Sequence, residues 1–190
     1  MTVEDFFARV VAELDRAGIP YMVTGSLASA AHGRVRATED IDIVIAPSPE
    51  QLRVFVSAFP DDRFYADDED ALESFRHNSQ FNIIDFATSW KVDFIFKKDR
   101  EFSDTEFARR KPHVVAGVRV DLATPEDILI AKLEWAKIGE SERQIEDVAG
   151  IIERQRDALD SVYVERWVEQ LGLEEQWRKA LAKSGGLTLV

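Results

Sequence analysis

Thr24-Gly25-Ser26-Leu27-Ala28-Ser29-Ala30-Ala31-His32-Gly33-Arg34-Val35-Arg36-Ala37-Thr38-Glu39-Asp40-Ile41-Asp42-Ile43 is the stretch that decides how this chain of 190 residues is read. In front of it, Pro20-Tyr21-Met22-Val23-Thr24 predicts a short strand that runs into Gly25-Ser26. The small, Ala-rich residues from Ser26 to Ala31 then predict the start of a helix. Glycine at such a junction lets a phosphate come close to the backbone, and the first turn of a helix offers N–H donors. The Ser26 hydroxyl adds one more donor. By itself, Gly-Ser between a strand and a helix is more often only a tight turn.

Asp40 and Asp42 change that balance. Ile41-Asp42-Ile43-Val44-Ile45 is β-branched enough to predict a strand. Alternate strand residues share a face, so the two carboxylates point the same way, ~6–7 Å apart at the backbone. Uncompensated, they would repel each other; a hard divalent cation, which prefers oxygen ligands, removes the conflict. A solvated strand face is the plain alternative. Against it, the apolar residues at 41 and 43–45 predict a strand that enters the core on both faces, with the acids at its mouth. Further on, Lys91-Val92-Asp93-Phe94-Ile95-Phe96 predicts another strand, where Asp93 shares a face with Ile95 and needs a partner or a metal. Asp85 on the preceding run competes for that role, and periodicity does not choose between them.

Working outward, Phe6, Phe7, Val10, Val11 and Leu14 form one stripe of a helix over 3–17, with Thr2 and Asp5 as its capping box and Gly18 as its stop. Ser48 caps a helix over roughly 50–58. Phe81–Phe86 and Lys91–Phe96 predict a hairpin, and Val114-Val115 with Val118–Val120 around Ala116-Gly117 predict a second one. After Thr124-Pro125-Glu126, with Thr124 as N-cap, the chain reads as helices over about 125–137, 142–156, 160–170 and 173–183. The expectation is an α+β fold: a mixed β-sheet with flanking helices over 1–123, and a helical part over 124–190 packed on it.

Composition narrows the function. A net charge of −12 argues against general nucleic-acid binding, because phosphate neutralisation supplies most of that affinity. The acids at Asp61, Asp62, Asp67–Asp70 and Glu73 read as a solvated loop and helix start, and Lys97-Lys98 with Arg100 and Arg109-Arg110-Lys111 are local basic clusters. The absence of cysteine excludes disulfides, thiolate metal sites and cysteine nucleophiles, and fits a reducing cytoplasm. Neither a signal peptide nor a membrane span is predicted.

Gly-Ser, a gap of about a dozen residues, Asp-h-Asp (h apolar) and a later h-Asp-h strand resemble the nucleotidyltransferase superfamily. The longer string Gly-Ser … His-Gly … Arg-x-Thr-x-Asp-Ile-Asp is similar to its minimal and abortive-infection (AbiEii-type) toxin branches. So are Pro125-Glu126-Asp127-Ile128 … Lys132-Leu133 and Arg143-Gln144-Ile145-Glu146-Asp147-Val148, although Gln144 and Ile145 stand where relatives often carry an acid or lysine. The likeness spans roughly 20–150 and chooses Asp93 over Asp85. It implies transfer of a nucleoside monophosphate from an NTP to a hydroxyl, with release of pyrophosphate. Gly25 and Ser26 would hold phosphates. Asp40, Asp42 and Asp93 would bind Mg²⁺ or Mn²⁺, with Asp93 alternatively taking the hydroxyl proton. Arg36 and Lys132 would contact the nucleotide. For Lys132 a snorkelling surface lysine is an equal reading, and Arg143 with Asp147 reads equally as a helix ion pair. His32 is expected to cap or pack a helix end, and Trp135, Trp167 and Trp177 to be core or interface residues.

The acceptor implied is an RNA, a protein or a small hydroxylated molecule. The branch implies a cytoplasmic toxin with an antitoxin protein as partner. The alternative is a catalytically inactive nucleotide-binding or interaction protein of the same fold. A metal-dependent phosphohydrolase is a third reading, weakened by having only three scattered histidines.

Overall fold

The computed structural model describes residues 2–31 and 40–185. These form two compact units, one of 2–27 and 40–123, the other of 28–31 and 124–185.

The first unit is built on a seven-stranded mixed sheet. Along the chain run α1 (Val3–Ala17), β1 (Tyr21–Thr24), α2 (Gly25–Ala31, whose last residues belong to the second unit), β2 (Asp40–Ile45), α3 (Pro49–Val56), β3 (Phe64–Tyr65) and α4 (Asp68–His77). After them come β4 (Gln80–Asp85), β5 (Lys91–Phe96), α5 (Glu101–Arg109), β6 (Lys111–Val115) and β7 (Val118–Leu122). The spatial order is β3-β4-β5-β2-β1-β7-β6. β2 with β5 and β1 with β7 are parallel, and the other neighbours are antiparallel.

Local chemistry explains where these elements begin and end. The Asp5 backbone N–H donates to Thr2 Oγ1, and the Asp5 carboxylate accepts from the Thr2 N–H, which closes the capping box of α1. Gly18 ends that helix at φ +66°. Ser48 and Gln51 form the same box for α3, with Pro49 in its first turn. Asp67 caps α4 by accepting from the N–H groups of Glu69 and Asp70, so the acidic run stands at the positive end of a helix. Both predicted hairpins form, and the second turns through Ala116 and Gly117, each at positive φ.

One sheet face is the core. Ile41, Ile43, Ile45, Phe81, Ile83, Val92, Phe94 and Phe96 all lie on it and are buried. α3 meets it with Phe55 edge-on to Phe94 at 5.1 Å, and α4 with Phe75 edge-on to Phe96 at 5.4 Å. From α1, Phe6 stacks on Phe64 at 5.8 Å. Such aromatic pairs add to the burial term that dominates stability.

Two elements go beyond the sequence reading. β3 has only two residues, too few for a period. α5 starts without a side-chain cap, and only Glu101 and Asp104 in its first turn mark its beginning.

The second unit contains α6 (Pro125–Gly139), α7 (Glu142–Gln155), α8 (Ser161–Gln170) and α9 (Glu174–Lys183), each within two residues of the predicted bounds. Thr124 caps α6 by accepting from the Asp127 N–H. Trp167 and Trp177 are buried as expected, whereas Trp135 is half exposed on α6. Among the described residues, no helix is long and apolar enough to cross a membrane.

Candidate active site on the polar face of the sheet

The opposite sheet face carries the charged residues. Register places Thr24 beside Asp42, Asp42 beside Asp93, Asp40 beside Lys91, and Asn82 beside Asp93. Paired residues share a face, so Asp40 and Asp42 on β2 and Lys91 and Asp93 on β5 form a rectangle of three acids and one cation. Val44 and Met22 continue this face into buried, apolar surroundings. The acids therefore stand at the mouth of the strand, as the apolar pattern predicts.

Gly25 fixes the relation between the Gly-Ser turn and the acids. Its φ is +66°, a conformation that side-chain-bearing residues adopt only with strain. A Cβ at this position would also come to 1.8 Å from Asp42 Oδ2 and 2.8 Å from Asp42 Cβ. The missing side chain is thus the space the Asp42 carboxylate occupies. A side chain here would therefore strain the backbone and force the Asp42 carboxylate to move.

Lys91 is a residue to which the sequence reading gave no role of its own. Its ammonium lies 2.8 Å from Asp93 Oδ2 and 3.5 Å from Asp40 Oδ1. The hydrogen bond to Asp93 raises the Lys91 pKa above the ordinary lysine value; the charges of Asp93 and Asp40 add to this, and partial burial opposes it. Asp93, whose side chain is only 12% exposed, thereby gains the partner that its position demands. The signal was in the sequence: a lysine two residues before an acid on a strand must share its face.

Asp85 lies on the other face, fully buried, and closes the turn between β4 and β5. It accepts from the Thr88 N–H at 3.0 Å and the Thr88 hydroxyl at 2.6 Å, and Arg63 Nε stands 3.7 Å away.

The donor chemistry of the polar face suits a hard cation. Every candidate ligand is an oxygen, and Asn82 Oδ1, next to Asp93, is buried without a hydrogen-bond partner. In this arrangement, however, the described residues hold no cluster of three or more carboxylate or imidazole groups drawn together tightly enough to grip a metal. Asp40 is the outlying member, its side chain 55% exposed.

Lys132 is buried in the second unit, where its ammonium donates to Asp147 Oδ2 at 2.9 Å and to Gln144 Oε1 at 3.2 Å. It is a buried ion-pair lysine rather than a snorkelling one, and Asp147 is its partner across α6 and α7. Also in the second unit, fully buried Asp127 accepts from the Tyr163 hydroxyl at 2.6 Å and from the Thr124 hydroxyl at 2.6 Å. Arg36, with His32 and Arg34, falls outside the described residues. The two basic clusters are engaged locally, Lys97 with Asp104 and Arg110 with Asp121.

This sheet, with flanking helices and a polar face at the Gly-Ser turn, is a nucleotidyltransferase-like fold, and solved structures agree. A nucleotidyltransferase-like antigenic protein from Paracoccidioides brasiliensis superposes with a TM-score of 0.57 at 20% identity, over 95% of this chain and 90% of that one. The antibiotic-resistance factor ANT(2'')-Ia superposes in its solution structure with a TM-score of 0.53 at 17% identity, over 92% of this chain and 96% of that one. The same factor in complex with adenylyl-2''-tobramycin gives 0.53 at 16% identity, over 93% and 99%. No family model matches the sequence, and no curated protein does either.

Proposed function

We propose that this protein is a metal-dependent nucleotidyltransferase that moves a nucleoside monophosphate from an NTP to an acceptor hydroxyl. The observation that carries the reading is the fit of the Asp42 carboxylate against Gly25, with Asp93 beside it in register. Gly25 and Ser26 hold the triphosphate through close backbone approach. Asp42 and Asp93, with Asp40 at the rim, hold Mg²⁺ or Mn²⁺, which neutralises charge on the triphosphate and orients it. The acceptor oxygen attacks the α-phosphorus, the bond to the β-phosphate breaks, and pyrophosphate leaves. In the alternative in which Asp40 and Asp42 alone hold the metal, part-buried Asp93 receives the hydroxyl proton. Because phosphoryl chemistry depends mainly on positioning and charge, a few acids and donors suffice.

The sheet-bearing part is then the catalytic part. Arg36 enters on the sequence resemblance. Lys132 is a second phosphate contact only if a phosphate shares its ammonium with Asp147. The net charge of −12 and the local pairing of the basic clusters favour a small hydroxylated molecule or a protein over RNA as acceptor. ANT(2'')-Ia, whose complex contains adenylyl-2''-tobramycin, gives the small-molecule choice a structural precedent. The abortive-infection resemblance supplies a biological setting, a cytoplasmic toxin held in check by an antitoxin protein.

One observation favours a second reading, an inactive protein that keeps the fold for interaction: Lys91 already pairs with Asp93 and reaches Asp40. The deciding experiment incubates the protein with Mg²⁺ and each NTP, labelled at the α- or the γ-phosphate. Total RNA, protein extract and small polyhydroxylated molecules serve as acceptors. α-Label moving to one pool, and lost in Asp40→Ala/Asp42→Ala, is the expected result. Transfer of γ-label alone means phosphorylation and overturns the reaction type. Transfer of neither label supports the inactive protein.

A further inference from the structure

We propose that Lys91 is a resident counter-cation that must leave Asp93 and Asp40 before a divalent metal binds, so that metal and nucleotide are taken up together. The inference rests on the nucleotidyltransferase reading of the same carboxylates. The ammonium reaches Asp93 Oδ2 at 2.8 Å and Asp40 Oδ1 at 3.5 Å, the two acids that flank Asp42 along and across the strands. A divalent ion placed among these acids meets a positive charge already bound to two of them. It loses ligand oxygens to the ammonium and is repelled by it. Metal alone is therefore a poor competitor.

A triphosphate alters the contest. It carries its own negative charge into the site, offsets the repulsion, and offers the displaced ammonium new oxygen acceptors. Lys91 can make the exchange because its side chain is 34% exposed, whereas Asp93 is held by the sheet. Without the lysine, part-buried Asp93 would stand uncompensated in the empty enzyme, so one residue both keeps the fold intact and makes the metal wait for its substrate.

The test titrates Mn²⁺, followed by the electron paramagnetic resonance of the free ion, into wild type, Lys91→Met and Lys91→Arg. Each titration is run with and without a non-hydrolysable NTP analogue. Lys91→Met should bind Mn²⁺ alone at least about tenfold more tightly than wild type, the low end of what one neighbouring charge does to a carboxylate. Lys91→Arg, which keeps the charge, should stay near wild type. The nucleotide should tighten Mn²⁺ binding strongly in wild type and much less in Lys91→Met. Equal or weaker Mn²⁺ binding by Lys91→Met overturns the proposal. Should circular dichroism show that variant unfolded, Lys91→Gln makes the same comparison. Failure of the analogue to bind wild type with Mn²⁺ overturns nucleotidyl transfer, while the titration with Mn²⁺ alone still decides the role of Lys91.

Discussion

The two faces of the central sheet are written by alternate residues of the same strands, yet they follow opposite rules. On one face Ile41, Ile43, Phe94 and Phe96 are buried beneath aromatic helices. On the other, Asp40, Asp42, Asp93 and Lys91 form a charged rectangle open at one end. The first face is stable because its aliphatic and aromatic side chains find apolar neighbours, while Asp85 at its end is held by Thr88. The second carries Asp40, Asp42 and Asp93 beside Lys91, the charged groups on which the proposed function rests. Stability and chemistry are therefore separable by choosing which face to mutate.

The largest separation is expected at Asp42. Asp42→Asn should lower nucleotidyl transfer at least ~10³-fold, about 4 kcal/mol in the barrier, while urea unfolding changes by less than about 1 kcal/mol. A comparable loss of stability would show that Asp42 belongs to the framework. Next comes the mirror experiment on the other face. Phe94→Ala should cost about 3–5 kcal/mol of unfolding free energy, because it empties the contacts with Phe55 and Phe81. If it unfolds at the wild-type urea concentration, the aromatic face is not the core.

Gly25→Ala joins the two effects. The left-handed backbone alone should cost about 1–2 kcal/mol, and the collision with the Asp42 carboxylate should abolish transfer. Full activity in this variant would mean that the close approach has no role. The smallest effect concerns Tyr21, on the apolar side of β1. Burial is the main cause that pushes its hydroxyl up to about 12, with Asp15 and Asp121 adding to it. Since the folded value lies above the unfolded one of ~10, its contribution is intact below pH ~10 and is lost as pH rises towards the folded value. Ultraviolet titration of wild type against Tyr21→Phe should show the late-ionising tyrosine; its absence would place Tyr21 in solvent.

The apolar face was legible in the sequence because its signals repeat: β-branched runs, hairpin turns and caps all agree. Thr2 with Asp5, Ser48 and Thr124 each mark a helix start that the structure uses. The polar face was legible in part. Spacing put Asp40 and Asp42 on one side of a strand, but their nearness to Asp93 depends on β2 pairing with β5, a crossover past two helices and two strands that no local pattern encodes. Lys91 was given no role because a lysine at a strand start shows its partners only once the register with Asp40 is known. Lys132 shows the same limit: its partner Asp147 lies fifteen residues away on another helix.

On the proposed function, the metal·nucleotide sits on the polar face, at the Gly-Ser turn and the acids. The most direct test is amide NMR of the ¹⁵N-labelled protein with Mn²⁺ and a non-hydrolysable NTP analogue, reading which signals the paramagnetic ion broadens. Broadening centred on Gly25, Ser26, Asp42 and Asp93, and absent in Asp40→Ala/Asp42→Ala, is the predicted result. Broadening centred on the groove of about 290 Å³ between α7 and α9, lined by Glu146, Glu153 and Lys183, would contradict it.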